Sequence, residues 1–531
     1  MVDEKNLVHW ADNVAKRVIS QKGNKKNYVV ASGITPSGTI HIGNFREIIT
    51  VDLVARALKN MGKEVRFIYS WDDYDVFRKV PKNMPNQKEL EKYLRKPIVD
   101  IPDPFGTEES YARHHEVEIE NVLPVLGIFP EYLYQAKKYR NLEYVDGIKT
   151  ALQNKDKIKL ILDKYRAKPL SNDWLPISGY DEETGSDEIE ISHYNGDYGL
   201  KIKLKDSDNW KDIDIRKYPF LKLPWRIDWP MRWAHEDVDF EPGGKEHSTI
   251  GGSYTTAKEI VKLFGGSAPC YEKYDFITIK GAGGKISSSL GNAITIQDCL
   301  EIFEPEMLRW LFAGTRPGTE FAISFDLDVI KLYEDFDRCE RIYYDIEKVS
   351  EKDTAKQKRI YELSSIEKPL KKMPFQPSFR HLTTVLSICS LDIDKTVDYY
   401  LNEEKEIKSG DLDQNIERLK VRARCAKNWI EKYAPDDFKF FINDNLPKDL
   451  KISKDMKNAL IELKDELAKK DWDAVDLHRK FYEIVSNNNI DSKDFFKYCY
   501  KVLISKEKGP KLANFIITIG RERVINLLSD L

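Results

Sequence analysis

An α/β domain built on a parallel sheet, interrupted by an insertion and followed by an all-α C-terminal region, is what this sequence predicts. Three observations carry that expectation. Residues 28–71 read as strand, glycine-containing turn, helix and strand. Residues 80–210 lose that pattern, and beyond about Phe325 the chain turns almost wholly helical. A length of 531 residues suits roughly three or four domains.

Tyr28-Val-Val-Ala-Ser is a short β-rich run, and the Gly33–Gly38 stretch after it cannot continue a strand. From Ile42 to Met61 the apolar residues Phe45, Ile48, Ile49, Leu53, Val54, Ala57 and Leu58 follow helical spacing. Gly62 should end that helix, because glycine accepts the left-handed backbone of a C′ position. Val65-Arg-Phe-Ile-Tyr-Ser reads as the next strand. The resulting βαβ unit implies a parallel sheet with its ligand at the strand C-terminal ends. Prolines 81, 85, 97, 102 and 104, charged helical stretches and a polar segment at 178–200 mark the insertion. Residues 221–296 return to glycine-rich, aromatic chemistry. In the helical part, 353–376 and 403–414 read as loops. The expected divisions are 1–80 and 211–296 for the two halves of the sheet domain, 81–210 for the insertion, 297–350 for a connecting region and 351–531 for the helical domain.

Composition excludes several classes. Charged residues make up 33% and hydrophobic ones 41%, so the chain can bury a core and is not disordered. No apolar run approaches the ~18 residues of a membrane span. The polar, acidic start MVDEKNLVHW is neither a secretory signal nor an Arg-rich transit peptide. The six cysteines are scattered without a C-x-x-C pair, which argues against a disulfide framework and for a reducing, cytoplasmic location. The net charge is −3, but residues 351–531 carry 35 basic and 31 acidic groups (+4) and the first 350 carry 50 and 57 (−7). The basic tail hints at a polyanionic partner.

Two motifs carry chemistry. Thr35-Pro-Ser-Gly-Thr-Ile-His-Ile-Gly-Asn44 sits between strand and helix, where free N–H groups and the helix dipole favour an anion. His41 and Asn44, three apart, share one side of the first turn, and Gly43 leaves room for a nucleotide. Gly281-Ala-Gly-Gly-Lys-Ile-Ser-Ser-Ser-Leu-Gly-Asn292 places one cation and three hydroxyls on a glycine-rich loop suited to phosphates. Either alone is compatible with an ordinary surface turn.

Together, H-I-G-N followed about 240 residues later by K-I-S-S-S resembles the paired signatures of class I aminoacyl-tRNA synthetases. Ser32-Gly-Ile-Thr-Pro-Ser-Gly38, Leu223-Pro-Trp-Arg-Ile-Asp-Trp-Pro-Met-Arg-Trp233 and Phe240-Glu-Pro-Gly-Gly-Lys-Glu-His247 look like the class I lysyl-tRNA synthetases. The resemblance spans the chain and implies a Rossmann-like catalytic domain with a connective insertion that meets the acceptor end. It also implies a stem-contact region and a helical anticodon-binding domain. The implied activity is ATP-dependent conversion of L-lysine to lysyl-adenylate, with Mg²⁺ accompanying the ATP, and transfer to tRNA(Lys). No DNA or membrane partner is expected. A class I synthetase for another amino acid, such as glutamate, or a non-catalytic RNA-binding relative are the alternatives.

By resemblance, His41, Asn44 and Lys285 are catalytic, and Pro36, Gly38, Gly43, Ile286, Ser287, Ser288 and Ser289 complete the ATP site. Asn44 and Ser288 stand where the general class pattern has His and Lys, which puts more weight on Lys285. A lysine ligand demands carboxylates and aromatic faces. Asp72, Asp73, Trp225, Asp228, Trp229, Glu246, His247 and Tyr254 offer them. The resemblance places Asp73 near the α-amine and Gly33, Thr35, Trp225 and His247 around the substrate. Gly33 stands where glutamate-specific relatives have an arginine. Several family members hold zinc in the insertion. Here Thr107 and Glu108 replace a Cys-His pair and Leu175–Ser192 has no cysteine, so no structural zinc is expected. In the tail, Arg422, Arg424, Trp429, Lys432 and Tyr433 supply groups that could position and stack RNA bases, though Trp429 could equally be core.

Overall fold

The computed structural model describes residues 8–280, 294–448 and 450–531. It begins with helix α1 (Trp10–Lys22), strand β1 (Asn27–Ile34), helix α2 (Ile42–Asn60) and strand β2 (Glu64–Trp71). Strand β3 (Glu131–Tyr134) follows, then helix α3 (Trp225–Glu236), β4 (Phe240–Gly244) and β5 (Cys270–Tyr274). The five strands form one parallel sheet in the order β5-β4-β1-β2-β3. The order reverses at β1, and the crevice beyond the strand C-terminal ends at such a reversal is where this architecture binds ligands.

The βαβ unit forms as the sequence predicts. Tyr28 and Val30 of β1 are fully buried, and α2 buries most of its surface, including Phe45, Ile48, Ile49, Leu53 and Leu58. Gly62 adopts φ +79° directly after the C-cap Met61, the conformation that stops the helix. The insertion has its own three-stranded antiparallel sheet (Ile189–Ser192, Gly199–Leu204, Lys211–Asp214). Its Ile148, Leu162, Tyr180 and Leu200 share an apolar core with Leu221, Ile227 and Met231 of the neighbouring segment.

The chain divides into two compact units that interleave along the sequence. One comprises 1–299, 305–323 and 349–369, the other 300–304, 324–348 and 370–531. Buried arginines account for the interleaving. In the first unit, Arg309 donates to the Ser364 and Leu363 carbonyls and to Asp52, tying 349–369 to α2. In the second, Arg422 is fully buried and binds Asp337 at 2.8 and 3.0 Å and Glu304. That fastens 324–348 and 300–304 to the helix Leu412–Lys432.

Two expectations for the tail need correction. The stretch from 353 is not a loop: Glu351–Ser364 is a helix, N-capped by the Ser350 side chain on the Asp353 N–H. It buries mainly Ile360, Tyr361 and Leu363 near its end, so its apolar stripe is too short to be read from the sequence. Arg422, expected to meet RNA, does not face solvent, and Trp429 takes the core position that the sequence left open for it. Trp429 is fully buried and donates its indole N–H to the Phe325 carbonyl at 3.0 Å. Arg424, Lys432 and Tyr433 remain exposed.

Candidate active site at the sheet switch point

The turn after β1 brings the first motif to the start of α2. His41 is the N-cap residue, and its backbone N–H donates to Asn44 Oδ1 at 3.1 Å. Asn44 thereby acts as a reciprocal cap, one physical reason for an amide at this position. Pro36 and Gly38 are buried, while His41, Gly43 and Asn44 are half-buried at the helix N-terminus. A Cβ on Gly43 would lie 2.8 Å from the His41 ring, so only glycine lets the imidazole sit there.

Lys285, Ile286, Ser287, Ser288 and Ser289 lie outside the described residues. The residues that follow them do not. The Ile42 N–H donates to the Ile294 carbonyl at 2.8 Å, and His41 pairs with Thr295 in an antiparallel bridge. The chain leaving the second motif is thus fastened to the helix start that carries the first.

Beside this point, a small cavity of about 40 Å³ lies between α3 and the ends of β1, β2 and β4. Gly33, Asp72, Trp225, Trp229, Arg232 and Glu241 line it. Gly33 is there for space: a Cβ would come within 2.8 Å of the Ser70 carbonyl oxygen. Its N–H and the Ser32 hydroxyl donate to Glu47 (3.2 and 2.9 Å), which also accepts from Tyr274 at 2.6 Å. Burial raises Glu47 above the ordinary carboxylate range, against these donors.

The spacing 225, 229, 232, 233 puts three tryptophans and Arg232 along one face of α3. Trp225 stacks on Trp229 with centroids 5.0 Å apart, and His247 lies 5.9 Å from the Trp229 ring. Glu241 accepts the indole N–H of Trp229 at 3.0 Å and that of Trp233. Burial pushes its carboxyl up to about 7, partly offset by those two donors. Arg232 binds Asp72 at 2.7 Å and Asp228 at 3.1 Å.

The remaining sequence candidates separate. Trp225 and Gly33 line the cavity, and His247 flanks it. Thr35 stands just past β1 and donates to Asp75 at 2.9 Å. Asp228 is buried against Tyr139 and Arg232 and orients the latter without lining the cavity. Asp73 also turns away: it accepts the Ala136 N–H at 2.7 Å, and burial lifts it to about 7. Its neighbour Asp72 takes the cavity position. Arg232 and Glu241 were missed. The i, i+4, i+7 spacing from Trp225 could have found Arg232, whereas Glu241 has no local signal.

In the insertion, Asp103 accepts the backbone N–H groups of Phe105, Thr107 and Glu108, and Thr107 bonds the His114 ring at 3.1 Å. Among the described residues, one group (His114, His115 and Glu118) brings three potential ligand atoms within 4.8 Å of one another. A closed zinc site needs four.

A parallel sheet of this order, with a glycine-bearing turn and a helix N-terminus at its reversal, defines a nucleotide-binding α/β enzyme. The family model described as tRNA synthetases class I (K) matches residues 8–367, and one described as an anticodon binding domain matches 393–530. The chain belongs to that class I (K) tRNA synthetase family. It is 50% identical to the lysine–tRNA ligase of Borrelia garinii over 524 residues, covering 98% of this chain and 99% of that protein. It is 43% identical to the Treponema pallidum lysine–tRNA ligase (99% of both chains). With that of Thermococcus kodakarensis the identity is 42%, over 98% of this chain and 99% of the other. No helix among the described residues is long and apolar enough to cross a membrane.

Proposed function

We propose that this protein activates L-lysine with ATP and transfers it to tRNA(Lys) in the cytoplasm. The lysine carboxylate oxygen bonds to the α-phosphorus as the bond to the β-phosphate oxygen breaks and pyrophosphate leaves. The terminal ribose hydroxyl of the tRNA then attacks the adenylate carbonyl, and AMP departs. Positioning and electrostatics supply most of the catalysis in such a displacement. The α2 N-terminus, His41 and Asn44 receive the phosphates. Lys285 steadies the leaving pyrophosphate, with the nucleotide's Mg²⁺ adding positive charge.

The observation that supports this reading is the fastening of Ile42 to Ile294, which brings the chain just after the second motif to the helix start that carries the first. The choice of lysine is supported by the cavity. Of its acidic lining groups, Asp72 is matched by Arg232 and Glu236 by Arg66 and Lys138. Glu241 has only indole donors. It is the acid left for a distal ammonium, with the Trp225–Trp229 stack beside the alkyl chain. Amino-acid-dependent ATP–pyrophosphate exchange should respond to lysine and not to glutamate, and lysine should be charged onto a tRNA(Lys) transcript. Exchange driven by another amino acid would overturn the substrate. No exchange with any amino acid would favour a non-catalytic RNA-binding protein.

A further inference from the structure

Strands β1 and β2 end level, with Ile34 opposite Trp71, so the turns that follow them start side by side. Asp75, in the second turn, bridges outward from it. Its Oδ2 accepts the Thr35 hydroxyl at 2.9 Å, and its Oδ1 accepts the Lys222 ammonium at 2.6 Å. The backbone of Asp75 is pinned as well. Its N–H donates to the Asp72 carbonyl at 3.3 Å, and its own carbonyl accepts the Ile98 N–H at 2.9 Å.

Lys222 is held from the insertion. It lies in the short strand Leu221–Lys222, which pairs antiparallel with Ser178–Gly179, and the Ser178 hydroxyl donates to its carbonyl at 3.2 Å. Its ammonium also donates to the Tyr74 carbonyl at 3.0 Å, which accepts the hydroxyl of fully buried Tyr180 at 2.7 Å. A surface ion pair alone would mean little. Here the Lys222 side chain is only 12% exposed, and the chain of contacts ends on a residue of the amino-acid site.

A hydroxyl has one proton to give and two lone pairs to offer. Burial works against a charge on Asp75, but the Lys222 ammonium outweighs it and holds the carboxyl below its ordinary range. An ionised carboxylate only accepts, so the Thr35 proton is committed to Asp75 and Thr35 faces a ligand as an acceptor. In the chain, Thr35 stands between Gly33, which lines the cavity, and Pro36 of the nucleotide turn. A lysine whose carboxylate reaches the phosphates and whose distal ammonium reaches Glu241 brings its α-ammonium between the two.

We propose that Asp75 and Lys222 are positioning residues that fix the Thr35 hydroxyl as an acceptor for the substrate's α-ammonium, so that the insertion reaches the amino-acid site through Lys222. The inference rests on the activity proposed above. Neither residue touches the substrate; both act through the direction of one hydroxyl.

The test compares full chains carrying Thr35→Val, Lys222→Met, both together, or Lys222→Arg with wild type in lysine-dependent pyrophosphate exchange. Thr35→Val and Lys222→Met should each raise KM for lysine about tenfold, the scale of one hydrogen bond to a charged group, with KM for ATP within about twofold. Because the relay acts through one hydroxyl, the double variant should be no worse than Thr35→Val alone. Lys222→Arg keeps a donor for Asp75 and should bring KM back to within about threefold of wild type. Inhibition by ε-aminocaproate, which lacks the α-amine, should be the same in all the chains. Effects of Thr35→Val and Lys222→Met that multiply in the double variant would show Lys222 acting elsewhere and overturn the proposal. Inhibition by ε-aminocaproate that weakens in step with lysine would overturn it too. Wild-type exchange with lysine but an unchanged KM in Lys222→Met would sink the relay alone, whereas a wild-type chain that does not exchange with lysine would overturn the activity and the relay with it.

Discussion

In the sheet unit, Asp73 and Glu241 are buried with N–H groups as their hydrogen-bond donors, whereas the buried acids of the helical unit face guanidinium groups. Asp337 and Glu304 meet Arg422, and Glu340 meets Arg418 at 2.8 Å. Burial carries Asp73 and Glu241 to about 7. The contrast separates two uses of buried charge. A matched pair locks helices in register and has nothing left to offer a ligand. An acid without a cation sits near its titration point and stays receptive to one. Breaking each kind of site should therefore move different observables.

The largest effect should come from Arg422→Ala. It leaves Asp337 and Glu304 buried and unmatched, and the helical unit should lose about 3–5 kcal/mol in urea unfolding. A loss below about 1 kcal/mol would end the distinction between lock and receptor. Lys285→Ala should slow adenylate formation 10²–10³-fold, about 3–4 kcal/mol, with lysine affinity nearly unchanged. Rapid-quench rates equal to wild type would remove Lys285 from its role.

Asp73 gives a pH signature. Its folded value of about 7 lies above its ordinary value of 3.8, so between those limits the folded chain holds a proton that the unfolded chain has released. Its contribution to stability is complete below about pH 4 and is lost as pH rises through 7, on the order of 4 kcal/mol. Asp73→Asn keeps an acceptor for the Ala136 N–H and should flatten that part of the stability–pH curve. Identical slopes in both proteins would show that Asp73 is not the titrating group. The smallest change is expected for Glu241→Gln. Losing a charged contact worth about 1.5–3 kcal/mol should raise KM for lysine with little change in kcat. An unaltered KM would move the ammonium site elsewhere.

Much of the turn and helix start proposed for the nucleotide was legible before folding, because its determinants are local. The strand, the glycine turn and the helical spacing from Phe45 to Leu58 occupy one continuous stretch, and a helix N-terminus binds anions wherever it occurs. The amino-acid side was half legible. Tryptophans at 225, 229 and 233 announce one helix face, but two adjacent aspartates just past β2 do not say which one turns inward. Asp72 does, while Asp73 accepts the Ala136 N–H at the start of the helix Gln135–Arg140. In the tail, composition suggested Arg422 and Trp429 as RNA contacts, since a fully matched arginine and an exposed one look alike in sequence.

The sequence by itself determined the parallel α/β core, the helix start that carries His41 and Asn44, the interrupting insertion and the helical tail. Periodicity, glycine and chain direction are properties of neighbours along the chain. Only the tertiary structure decided that Ile294 returns to Ile42, that Glu241 reaches the cavity under α3, and that residues 324–348 and 349–369 belong to different units. Those outcomes depend on which backbone and side-chain groups meet in the folded interior. Burial is what makes such pairings strong, and it exists only once the chain has folded.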